Sequence, residues 1–186
     1  MSLIAYSRGM LVADNIAEID LAGVSFHTTM QKLHVSDSKF FAFAYCGKRI
    51  MDRNIRKVLD VIHAMLVKHL MGGRVDPLEI PSEYEALMED RGIIIMTCDQ
   101  VFDRMHGAAN VFTEIDLSGW AGHGTYLAAF SAANVHAAQR DDPTDVAADR
   151  AVRFAAGRDC CISAIKQSGL VPIPIEEPKK EEVTES

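Results

Sequence analysis

The chain has 186 residues, long enough for one domain with a sizeable core, and its 48% hydrophobic and 24% charged content is that of a globular protein. No apolar run approaches the ~20 residues of a membrane span, and no basic segment leads into an apolar stretch as in a secretory signal, so the expected location is the cytoplasm, with no membrane partner. A net charge of −7 argues against a nucleic-acid partner, which would need a basic stripe.

Taken in order, residues 3–6 and 10–13 read as two apolar strands joined at Ser7-Arg8-Gly9, a β-hairpin that ends on Asp14. Residues 15–27 have mixed character. A second strand pair follows at residues 32–36 and 40–45, with a turn at Asp37-Ser38. Phe40-Phe41-Ala42-Phe43-Ala44-Tyr45 is apolar on both faces, which predicts a central strand covered on both sides. Gly47 is expected to open a helix over residues 52–70, where Ile55, Leu59, Ile62, Leu66 and Leu70 recur at helical spacing and Gly72-Gly73 ends the run. A short helix is expected from Pro81, with Ser82 as its cap and Glu85 completing a capping box.

Residues 93–98, 101–105 and 110–115 then read as three strands. An alanine-rich helix over residues 121–138, opened by Gly122-His123-Gly124, suits close helix packing. Asp142 as cap and Pro143 at the first turn start another helix, which the apolar pattern allows to run as far as Lys166. Pro172 and Pro174 confine residues 170–175 to an edge strand. The charged tail 176–186 has no apolar face and is expected to be disordered, leaving 1–175 as a single domain. Hairpins alternating with helix pairs imply an α+β protein with antiparallel sheets covered by helices.

The chemistry suggested by these residues sits at the N-terminus. Removal of Met1 would leave Ser2 with a free α-amino group beside its own hydroxyl, so one residue could supply nucleophile and base. The amine's reference pKa near ~8 leaves a useful fraction unprotonated at neutral pH. Cys46, Cys98, Cys160 and Cys161 lack zinc spacing and are too sparse for a disulfide scaffold. Reduced thiols are expected, with the vicinal pair Cys160-Cys161 packed in the core. Nine methionines suit adaptable packing, and no metal or cofactor is expected.

The hairpin with Ser2 before it and Asp14 at its end resembles the N-terminus of the proteasome β-subunit family of N-terminal-nucleophile hydrolases, in the style of phage-encoded proteasome-like proteins. Further matches follow in order: Lys32-Leu33-His34-Val35-Ser36-Asp37 with the strand ending Cys46-Gly47, the strands between Ile93 and Asp116, Trp120-Ala121-Gly122-His123-Gly124, and Gly157-Arg158-Asp159. The resemblance implies a four-layer αββα sandwich with Ser2 as nucleophile, Asp14 and Asp159 holding and tuning its amine, and backbone N–H groups near Gly47 receiving an oxyanion. It implies peptide or protein substrates and a ring-like homo-oligomer. It also marks departures. Thr28 stands where the family has its lysine, His123 where it has a serine, and Ile162, with Ser163 adjacent, where it has another. Loss of the lysine's charge favours the alternative, an inactive proteasome-like subunit that scaffolds or binds a partner. Asp159 could instead pair with Arg158 at the surface, and His123 could be structural.

Overall fold

The N-terminal hairpin forms as expected, and the computed structural model shows why its two strands are buried throughout. Residues 2–75, 77–105, 107, 109–157 and 161–175 are described. Strands β1 (Ile4–Ser7) and β2 (Met10–Asp14) are joined by Arg8 and Gly9, both left-handed at φ 50° and 71°, the tight turn whose twist matches paired strands. They occupy the centre of a four-stranded antiparallel sheet, between β10 (Trp120–His123) and β11 (Ile162–Lys166). Neither edge strand is expected from the sequence. Gly122 and His123 read as a helix start, and residues 162–166 as the end of a long helix.

A second, five-stranded sheet runs β5 (Leu33–Val35), β6 (Phe41–Gly47), β7 (Arg91–Thr97), β8 (Val101–Arg104) and β9 (Thr113–Ile115), antiparallel throughout. The central strand β6 alternates by size. Phe41, Phe43 and Tyr45 pack on Val58, Ile62 and Leu66 of helix α1 (Asp52–Met71), whereas Ala42, Ala44 and Cys46 meet Ile4, Tyr6, Leu11 and Ala13 of the first sheet. Small residues between the sheets let them approach, and each large side chain buried beneath α1 contributes about 1.5–3 kcal/mol. On the outer face of the four-stranded sheet, Leu3, Ala5, Met10 and Val12 pack on α3 (Leu127–Ala138) and α4 (Thr144–Ala156). The layers run α1, five strands, four strands, α3–α4, which is the αββα sandwich.

Other boundaries move for local reasons. Gly47 is the last residue of β6, at φ 100°, and α1 starts only at Asp52. Ser82 does not cap. It begins a 3₁₀ turn after Pro81 that leads into α2 (Glu85–Met88), with no side-chain cap bond. Pro143, not Asp142, is the residue flanking α4, which stops at Ala156 where Gly157 turns left-handed. The mixed segment 15–27 and the two residues after it form a further antiparallel hairpin, β3 (Ile16–Leu21) and β4 (Val24–Thr29), which belongs to neither sheet. β4 is exposed along its whole length, so no apolar alternation marks it. Leu170 and Ile173 are buried, but their segment forms no strand; Val171 donates to the Lys39 carbonyl at 2.9 Å. Cys161 is exposed, contrary to the expected core packing. Cys160, Asp159 and the 176–186 tail lie outside the described residues.

Candidate active site

Ser2 lies just before β1, at the mouth of a cleft of about 510 Å³ between the sheets and the β3–β4 hairpin. Its backbone is fixed from the far side: Tyr126 N–H donates to the Ser2 carbonyl at 3.3 Å. Gly124, at φ 113°, presses so closely that a β-carbon there would sit 2.1 Å from that carbonyl oxygen. Only glycine fits this position.

The hydroxyl has a cation beside it. Lys32 Nζ donates to Ser2 Oγ at 2.9 Å and to Asp14 Oδ1 at 2.5 Å, with the lysine side chain 3% and the aspartate 0% exposed. Asp14 Oδ1 also accepts from Leu3 N–H at 3.2 Å, and Asp14 N–H donates to the Leu3 carbonyl at 2.9 Å, locking the acid to the residue after Ser2. Burial pushes the Asp14 carboxyl above its ordinary range, against the opposing pull of the Lys32 ammonium. Its second oxygen has no partner among the described residues.

This overturns the expectation that the site lacks a lysine. Thr28 is exposed on β4, paired with Ala17 across the hairpin, and the amine comes instead from Lys32. Two backbone bonds put it there. Met30 N–H donates to the Asn15 carbonyl at 2.9 Å, next to Asp14, and the Lys32 carbonyl accepts from Tyr45 N–H at 3.1 Å. The short link Met30-Gln31-Lys32 is thus stretched between β2 and β6. Such a link has no strand period from which a side-chain direction can be read. The available signal is a lysine directly preceding the apolar Leu33.

Gly47 lines the same cleft, as do Cys46, Arg49, Met30, Met105 and His123. A β-carbon on Gly47 would lie 2.3 Å from the Asp90 carbonyl, so this turn also demands glycine. Burial raises the Cys46 thiol to about 11, leaving it a protonated wall residue. His123 reaches across the gap to bond Asp103 of β8. Ser163 is not at the cleft; it exchanges hydrogen bonds with Asn15 at 3.1 and 3.2 Å. The expected cluster therefore assembles around Ser2, Asp14 and Gly47, with Lys32 added and Asp159 beyond the described residues.

No protein-family model matches the sequence, and no curated protein sequence does. Solved structures match over nearly the whole chain. HslV from Trypanosoma brucei superposes with a TM-score of 0.56 at 12% identity, covering 89% of this chain and 98% of that one. The chain has the HslV fold. BPH from Thiobacillus denitrificans, alone and in complex with epoxomicin, superposes with a TM-score of 0.52 at 13% identity, over 90% of this chain and 98% of its own. At these identities the likeness is one of fold, and it agrees with the four-layer sandwich that the family resemblance of the sequence implies.

Proposed function

We propose that this HslV-like chain is a proteasome β-type peptidase or amidohydrolase in which Ser2, freed by removal of Met1, is the nucleophile. The observation that carries the reading is the Lys32 ammonium, 2.9 Å from Ser2 Oγ and paired with buried Asp14. A cation donating to the hydroxyl favours its alkoxide and lowers its proton affinity, which the α-amine alone would otherwise have to overcome. Ser2 Oγ adds to the amide carbonyl while its proton passes to the α-amine, and N–H groups at Gly47 receive the oxyanion. The C–N bond then breaks, the ammonium proton leaves with the amine, and Ser2 holds the acyl group as an ester. Water adds to that ester, the acid departs and Ser2 is restored. Asp159 is assigned the role of holding the α-amine. A ring-like homo-oligomer acting on peptides or proteins, within the cytoplasm, completes the proposal. The inactive-scaffold alternative draws its strongest support from a missing lysine, and Lys32 beside Ser2 weakens it.

The test is intact mass before and after incubation with epoxomicin, the ligand of one structural neighbour. Loss of Met1 and a single adduct on Ser2, absent in Ser2→Ala, is the expected result. A retained Met1, or a processed chain that never forms an adduct, would overturn the reading.

A further inference from the structure

The cleft is built from two sheets that meet only through side chains, so something must set its width. Ser2 belongs to the four-stranded side and Gly47 to the five-stranded side. Between them, at the cleft wall, stands His123. It is paired with Ile4 in the β10–β1 register, and Ile4 packs between the sheets, so the imidazole points across the gap. There its Nε2 bonds Asp103 Oδ1 on β8, with the two side chains only 10% and 20% exposed, where water screens the contact little. The facing sheet is cut away to admit it. A β-carbon on Gly92 of β7 would lie 2.7 and 3.0 Å from imidazole Cγ and Cδ2 of His123 and 2.9 Å from its Cβ. Gly92 pairs directly with Cys46, the residue before Gly47. On its other side His123 is followed by Gly124, which presses against the Ser2 backbone.

The geometry points to His123 and Asp103 as a cross-sheet latch: positioning residues that hold Ser2 at its working distance from the Gly47 turn, with Gly92 as the socket for the imidazole. This rests on the reading of Ser2 as nucleophile. The linkage runs from Asp103 through a hydrogen bond to His123, through the peptide bond to Gly124 and through close packing to the Ser2 backbone, so a loosened latch shifts the nucleophile relative to the oxyanion donors without touching either. A misplacement of about 1 Å costs roughly a hundredfold in rate.

The test separates bond formation from binding in the reaction of Ser2 with epoxomicin, using the limiting rate and the half-saturating concentration, each beside a melting curve. His123→Gln and Asp103→Asn should each lower the limiting rate about tenfold to a hundredfold, leave half-saturation within about twofold, and not add in the double variant. Gly92→Ala should slow the wild-type background by a similar factor and have no effect on the rate once His123→Ala has emptied the socket. Wild-type limiting rates in folded His123→Gln and Asp103→Asn, or a Gly92→Ala effect equal in both backgrounds, would overturn the latch. If the unaltered protein forms no adduct, it is the nucleophile reading that fails. The latch is then judged by amide exchange at Tyr126, whose N–H holds the Ser2 carbonyl. Faster exchange in His123→Gln and in Asp103→Asn supports it, and unchanged exchange sinks it.

Discussion

Lys32 and Asp14 form an ion pair whose side chains are 3% and 0% exposed. Removing one partner of such a pair leaves the other buried and uncompensated, a loss of about 3–5 kcal/mol. Lys32→Met should therefore lower the melting temperature sharply and abolish the Ser2 adduct. Lys32→Arg should restore little, because a guanidinium fork cannot replace a point charge seated between one hydroxyl and one carboxylate. Acid acts on the same pair. Asp14's native proton affinity is raised by burial, so the folded chain binds this proton more readily than the unfolded one. Its contribution to stability therefore falls as pH rises from the unfolded carboxylate value through the native one. The proposed mechanism runs the other way: Ser2 acylation should decline on acidification while near-UV circular dichroism is still native. A rate that holds until the fold itself is lost would contradict this. Thiol chemistry offers a separate check. Iodoacetamide on the native protein should modify exposed Cys161 and spare Cys46, whose thiol is buried and held to about 11, as read by peptide mass.

At the level of elements, the sequence speaks clearly where burial is periodic and falls silent where it is not. β1, β2 and β6 are continuous apolar runs because both faces are covered, and they stand out without a structure. β10 is obscured by its own close packing. Trp120-Ala121-Gly122-His123 is short, and its glycine serves close approach, since a β-carbon on Gly122 would meet Leu127 Cδ1 at 2.5 Å. Ile162–Lys166 is hidden because Val146, Val152 and Phe154 continue a helical spacing toward it, although Phe154 is 87% exposed. The candidate site follows the same rule. Ser2, Asp14 and Gly47 are legible because they end or flank regular strands, whereas Lys32 lies on a link whose direction only tertiary hydrogen bonds decide. The turn at Gly124 yields the sharpest element-scale expectation. Gly124→Ala combines a φ of 113° with a 2.1 Å clash on the Ser2 carbonyl, so it should cost stability and remove the adduct together. An unchanged adduct rate in that variant would show that the Ser2 turn is not held from this side.

Across the whole molecule, several large apolar side chains are left exposed, some of them on the β3–β4 hairpin and on α3 and α4. Val24 and Phe26 stand on β4 at 54% and 52% exposure, and Val135 and Phe154 on α3 and α4 at 56% and 87%. A lone two-stranded hairpin is marginal in water. Burial between copies would stabilise it, in keeping with the proposed homo-oligomer. Light scattering should accordingly return a native mass that is a multiple of 20.5 kDa, with Phe26→Glu shifting it toward the single chain. A monomer at all accessible concentrations would refute the assembly proposal and leave the fold untouched.

β6 lies at the centre of everything described: it is paired with β5 and β7, roofed by α1 and floored by β1 and β2. No local fraying can bring water to its backbone without separating two of the four layers. The amide protons at Ala42, Phe43 and Ala44 should thus trade for deuterium only when the entire chain opens. Their exchange rate becomes a gauge of global unfolding free energy, readable under native conditions and in any variant too inactive to assay.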